Sequence, residues 1–230
     1  MAKRPVFSPC LRKVGVEEKL IDFKWHSGFA VSQKQKSIQS LHQEAKVYGY
    51  NDLLEISSKS EVELGVSLSA FNLKITTKKH QRSFSVESAF QGSKVFERGG
   101  PYTDLFLADS LSAKRDVRIK ESGNVIGFRF FSKDFPNKPR TFFYDWLYIN
   151  ALVQNKDLYE QLADFDGFTD IEFNPEKSIN CQAHAVALYR SFIHNGVLQE
   201  ALSSPQMFLD LTKEHYDLQS RNITIQKHMF

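Results

Sequence analysis

Between Lys19 and Trp25, Ile21, Phe23 and Trp25 alternate with Leu20, Asp22 and Lys24, a two-residue period that predicts a strand with one buried face. Ser27, Gly28 and Phe29 follow as a turn, and Ser32 is placed to cap a helix to about Lys46, with Ile38, Leu41 and Ala45 on its apolar side. Residues 1–14 show no such period and read as an N-terminal tail, leaving 15–230 for one domain. Leu53 to Ser57 is a short strand. Leu64 to Thr76 is a longer β-prone run interrupted by Ser69, Phe71 and Asn72, a polar and aromatic insert of the kind that makes a bulge or furnishes a site.

The period then lengthens. Ser110 to Gly123 is charged and helical or irregular, Val125 to Phe131 alternates as a strand, and Phe135-Pro136 and Lys138-Pro139 mark a loop. Phe142 to Gln154 carries Phe142, Trp146, Ile149 and Val153 at helical spacing, and Lys156 to Ala163 starts another helix. Ile179 to His194 places Ala183, Ala187, Leu188 and Ile193 on one side, with Gly196 as its stop and Ser204-Pro205 opening the next helix. Strands mainly in the N-terminal half and helices mainly in the C-terminal half predict an α+β fold.

Composition narrows the class. The 230 residues are 41% hydrophobic and 25% charged, as in ordinary folded proteins, but include 20 Phe, which serve a core first and base-stacking surfaces second. The net charge of +3 does not announce a nucleic-acid binder, so any basic strip is local; the densest run is Lys78, Lys79, His80 and Arg82. Cys10 and Cys181 alone form neither a disulfide framework nor a metal cluster, and the seven His lack zinc-helix spacing, so no metal is expected. Without an apolar run of roughly 18 residues or a signal-type N-terminus, a soluble, unprocessed, cytoplasmic protein is expected.

Candidate chemistry gathers at Phe84 to Phe106. A helix starting near Val86 would align Glu87, Gln91 and Lys94 as acid, amide and amine, while Val86, Ala89 and Phe90 bury the adjoining face. Such groups near a low-dielectric core have shifted pKa values, although the same stripe also describes a solvated helix face. Arg98, Gly99, Gly100 and Pro101 then form a loop that lets backbone amides approach a ligand and delivers Tyr102 and Asp104 on its far side, or is simply a turn. Lys34 and Lys36, at the start of a helix, gain from an anionic neighbour such as a nucleic-acid phosphate, or are merely met by water.

The run SVESAFQGSKVF at Ser85 to Phe96 resembles the signature of the NADAR superfamily, and LSAFNL at Leu68 to Leu73 is similar to its Leu-Ser-Asn-Phe strand. Together with GGPYTDLF, YDWLYINAL, FTDIEFNP and INCQA, these motifs resemble the branch of NADAR proteins encoded beside DarT-type ADP-ribosyltransferase toxins, over Phe23 to about Leu202. The resemblance implies a single NADAR-like domain and an antitoxin that removes ADP-ribose from guanine bases in single-stranded DNA. It implies no cofactor, ADP-ribose as product, no membrane, and the cognate toxin as a possible partner.

Rupture of a ribose-to-nitrogen bond needs an acid for the departing nitrogen and a nucleophile at the anomeric carbon, which assigns Glu87 and Lys94 as catalytic residues with Asp104 beside them. Candidate substrate contacts are Ser69, Phe71, Asn72, Gln91, Gly99, Gly100, Tyr102, Trp146 and Asp170; Asp170 is preferred to Glu172. Phe71 or Trp146 would stack on a base and the two glycines would hold a pyrophosphate, although Trp146 and Phe71 are equally good core residues. Ala70 stands where the superfamily has Asn, with Asn72 as a possible substitute, and the glycine-tryptophan motif of other members is replaced by the helix carrying Asn180 and Gln182. Two other functions stay open: an N-glycosidase for a small phosphorylated metabolite, and a non-catalytic module that binds ADP-ribose or the toxin.

Overall fold

Two eight-residue strands, β1 (Ala2–Pro9) and β2 (Val16–Phe23), pair as an antiparallel hairpin from Ala2↔Phe23 to Pro9↔Val16. The computed structural model covers 1–230 and describes residues 1–77, 81–176 and 178–219. After the hairpin come α1 (Val31–Ala45), β3 (Leu53–Glu55), α2 (Glu63–Ser67), β4 (Lys74–Thr76), β5 (Ser83–Ser85), α3 (Val86–Gly92) and β6 (Lys94–Phe96). The chain continues through α4 (Ser110–Arg115), α5 (Val117–Glu121), β7 (Val125–Phe130) and β8 (Lys133–Pro136). It ends in α6 (Phe142–Leu152), α7 (Lys156–Tyr159), β9 (Gly167–Thr169), α8 (Gln182–His194), α9 (Leu198–Ala201) and α10 (Pro205–Leu218). This is the expected α+β class, with strands concentrated early and helices late.

The main sheet has the order β2-β1-β9-β3, its last pair parallel. Successive side chains of β1 leave on opposite faces: Val6 joins Ile21, Phe23, Ile38, Leu41 and Ala45 under α1, while Phe7 joins Leu54, Phe168 and the α8 side chains in the main core. The expected tail at 1–14 is therefore corrected, since both side chains are fully buried. Pro5 and Pro9 read against a strand, but they lie away from Phe7↔Phe168, the one residue pair joining β1 to β9.

A second difference falls on Leu64 to Thr76. Leu64 and Leu68, four apart, are buried with Gly65 between them, so the first part is the short helix α2, and only Lys74–Thr76 is strand. Gly65 fits because a Cβ there would come 2.0 Å from the Glu55 carbonyl oxygen; the alternation of Leu64, Val66 and Leu68 is equally compatible with a helical turn over so few residues. The expected Ser32 cap is also replaced: α1 begins at Val31 behind Ala30, with no side-chain cap. In α8, Ile193 is exposed, and His184, Ala185 and Val186 are buried instead.

Two small sheets, β4-β5 and β6-β7-β8, clasp α3, and α6 packs behind it. Nine of the eleven α6 residues are buried, among them Phe142, Phe143 and Tyr144, so this helix is core nearly all round rather than amphipathic.

Candidate active site

Ser85 caps α3 by accepting from the Ser88 N–H at 3.0 Å, and the Glu87 N–H donates to the Ala70 carbonyl at 2.9 Å. Ala70 is held in turn by its N–H on Gln182 Oε1 at 2.7 Å. All seven residues of α3 are buried, and Phe90 stacks on Phe128 while meeting Tyr144 edge-on at 5.1 Å. The helix stops at Gly92, against the Phe106 ring, where a Cβ would approach to 2.6 Å. A single helix carrying Glu87, Gln91 and Lys94 is thereby corrected: Lys94 is the first residue of β6, paired with Phe128.

The strand nevertheless returns the amine to the stripe. Lys94 Nζ donates to Gln91 Oε1 at 2.7 Å, and Gln91 Nε2 donates to Glu87 Oε1 at 2.9 Å. An ammonium can only donate and a carboxylate only accept, so the amide of Gln91 has one orientation that serves both. Lys94 Nζ also sits 4.8 Å above the Phe90 ring. Burial pushes its pKa down to about 8; the Glu87 charge works against that drop and Lys114 adds to it. Glu87, Phe90 and Gln91 line a cavity of about 220 Å³; Lys94 is not among its lining residues and is tied to it through its bond to Gln91.

The opposite wall comes from Phe71, Lys114, Tyr144, Asp170, Glu172 and the segment Ser178 to Gln182. Asp170 Oδ1 accepts the Glu172 and Phe173 N–H groups at 3.0 and 3.2 Å, which fixes the carboxyl. Burial first, and the Glu55 carboxylate second, push the Asp170 pKa well above the usual range. Glu55 is itself raised by burial, although it accepts from Thr169 Oγ1 at 2.6 Å and from the Ile171 N–H at 2.8 Å. Thr169 Oγ1, donating there, takes His42 Nε2 at 2.8 Å, and burial lowers the His42 pKa to about 4, so the ring is a neutral donor. The Tyr144 hydroxyl is likewise raised, by burial and then by Glu87.

Of the residues expected at the site, Glu87, Gln91, Phe71 and Asp170 line this cavity, and Lys94 is bonded to one of them, Gln91. Ser69 is buried in the turn after α2, with its hydroxyl unpartnered among the described residues. Asn72 is exposed and donates to the Val66 carbonyl, so it does not replace the missing family amide. Gly100, at φ +78°, packs on the Lys94 carbonyl, where a Cβ would come within 2.3 Å; it and Gly99 shape the turn under Lys94 and do not line the cavity. Tyr102 bonds to Ser122 Oγ beneath the Arg118 guanidinium.

Asp104 is not brought to the cavity. Its carboxylate is exposed and paired with Arg118 at 2.7 Å, because that guanidinium forks between Asp104 and Asp116. Trp146 lines a different cavity. Lys78, Lys79 and His80 lie outside the described residues, whereas Arg82 is exposed. The anionic neighbour of Lys34 is Glu172, 3.1 Å away. His184 is buried, with Nδ1 3.2 Å from Asp145 and Nε2 3.0 Å from His215 Nε2; among the described residues no group of three or more His, Cys, Asp or Glu is placed to hold a metal.

Sequence reasoning missed Tyr144, Lys114 and Glu55. Glu55 left a signal, a lone carboxylate inside the apolar run Leu53 to Ile56; Lys114 left none, since its place over the Phe71 ring, at 5.1 Å, depends on how α4 packs on α3.

Comparison with protein families places the chain in the NADAR class, whose glycosidase-like chemistry fits an enzyme with this site. The matching model within it is that of the DarT1-associated NADAR antitoxin, over residues 2–222, and the chain belongs to that family. Comparison with curated proteins gives no match. Family membership supports an antitoxin role with the cognate toxin as partner. Among the described residues no helix is long and apolar enough to cross a membrane.

Proposed function

We propose that this antitoxin removes ADP-ribose from guanine bases of single-stranded DNA, reversing the modification installed by a DarT-type toxin. The observation that carries the reading is the relay from a buried acid and amide lining a sugar-sized cavity to a partly buried amine, whose pKa is lowered to about 8. At about 220 Å³ the cavity is smaller than the roughly 300–1,000 Å³ of pockets that enclose drug-sized ligands, so it takes the reacting ribose and leaves much of the nucleotide outside.

In the proposed reaction the neutral Lys94 amine attacks the anomeric carbon of the ribose. The bond from that carbon to the guanine nitrogen breaks, its electron pair leaves with the base, and Glu87 passes to that nitrogen the proton the attacking amine gives up. Opening of the sugar ring, with the ring oxygen taking a proton from solvent water, turns the adduct into a protonated imine. Water adds to the imine carbon, and collapse returns the amine to Lys94 and releases ADP-ribose. Glu87, now a carboxylate, takes the water proton through the same geometry. Asp170, whose burial favours its protonated form, bonds a ribose hydroxyl, and Phe71 supports the base.

Release of free ADP-ribose from an oligonucleotide carrying ADP-ribosyl-guanine tests this. The wild type should release it, and Lys94→Ala and Glu87→Gln should each be slower by about a hundred-fold or more. A wild type that leaves the modified guanine intact, yet still binds the toxin, would replace the enzyme by a binding module.

A further inference from the structure

Another face of α6 lines a second, larger cavity, about 720 Å³, with five aromatic rings in its walls. Phe84, Phe106, Phe130, Phe131 and Trp146 supply them, and among the described residues Arg82 is the only ionisable one in the lining, with no carboxylate. We infer that this groove holds an unpaired base of the substrate strand, next to the base being freed of ADP-ribose. The inference rests on the strand-substrate reading above and extends it: the enzyme would grip a short stretch of single strand, not a nucleoside alone.

Phe131 is the first sign that the groove serves a ligand. It occupies the first of two residues between β7 and β8, at φ +53°, where such a turn favours glycine. It is 54% exposed, yet its ring leans on Phe84, Phe106 and Phe130 at centroid distances of 6.3, 5.8 and 4.7 Å. A bulky residue in a backbone conformation it disfavours, half in solvent, is costly for stability alone. Trp146 is the second sign. Its Nε1 is buried without an acceptor among the described residues, so no structural hydrogen bond accounts for an indole there, while its ring adds a wide face to the groove.

The chemistry of the occupant follows from the walls. Flat aromatic faces stack on any base, and the Arg82 cation, with no carboxylate beside it among the described lining residues, suits the phosphate that comes with it. The placement fits a polymer as well. Tyr144 and Trp146 are two residues apart on α6, and each lines one cavity, so the two cavities are neighbours on adjoining faces of one helix. On the leading side, Phe84 and Glu87 stand three residues apart and again face one cavity each.

The test uses the full chain and unmodified (dT)12. The chain has 2 Trp, Trp25 and Trp146, so stacking should quench fluorescence in Trp25→Phe and not in Trp146→Phe. Phe131→Gly, which suits the turn and should fold, should weaken (dT)12 binding about ten-fold and raise KM for a modified oligonucleotide similarly, with kcat and turnover of a modified mononucleoside unchanged. Wild-type affinity in Phe131→Gly together with unaltered oligonucleotide KM would overturn the inference, as would a loss confined to binding of the purified toxin. Because (dT)12 binding needs no hydrolysis, a failed glycohydrolase assay and a failed groove give different results.

Discussion

Lys94 is joined to Glu87 through Gln91 and not directly: its Nζ lies 2.7 Å from the amide oxygen, and the amide nitrogen 2.9 Å from the carboxylate. Separation by one amide keeps the amine near the acid without fixing it as a buried ion pair, which would hold the proton on nitrogen. Gln91→Leu should therefore do more than remove a contact. It leaves two buried polar groups unpaired, lowering stability by about 1–3 kcal/mol in thermal or denaturant melts, and it uncouples acid from amine, with a fall in turnover measured on the same samples.

Activity should rise with pH. The attacking species is the neutral amine, and a pKa of about 8 means that kcat/KM climbs as Lys94 loses its proton and levels off above that value. Lys114 depresses this pKa, so Lys114→Met should move the rising limb to higher pH. A pH–rate profile of both proteins checks the direction; a limb that moves down, or stays put, argues against the arrangement.

Stability should depend on pH through Asp170. Its folded pKa is raised above the unfolded value, so the fold is favoured while the carboxyl is protonated and loses that contribution as pH rises toward the folded pKa. Asp170→Asn removes the ionisation and keeps an acceptor for the Glu172 and Phe173 N–H groups. Its melting temperature relative to wild type should therefore increase from pH 4 upward, while ADP-ribose release falls.

Gly100→Ala should damage the site from behind. A Cβ there would come within 2.3 Å of the Lys94 carbonyl, at a φ of +78° that alanine disfavours. A loss of about 1–3 kcal/mol is expected in melts, together with reduced turnover from a displaced Lys94. An active variant of unchanged stability would show that this turn yields easily.

The alternation at Ile21 and Phe23 was legible because one face of β2 is solvated and a two-residue period survives; Leu64 to Thr76 was not, because Leu64 and Leu68 fit either period over so short a run. The acid and amide of the site were legible for a similar reason, since positions 87 and 91 share a helix. Lys94 reaches them from β6, which only the close approach of Gly92 to Phe106 makes necessary, and residue spacing does not encode that contact. Asp104 shows the reverse case. It is near Lys94 in sequence, but its partner is Arg118, fourteen residues on, and an ion pair of that kind leaves no periodic trace.

The most direct measurement is borohydride trapping during turnover of an oligonucleotide bearing ADP-ribosyl-guanine, followed by peptide mass spectrometry. The account predicts a reduced ADP-ribose adduct on Lys94 in the wild type and none in Lys94→Ala, which should also have lost most turnover. Continued ADP-ribose release with no adduct at Lys94, or a Lys94→Ala protein that keeps most of its activity, would contradict it.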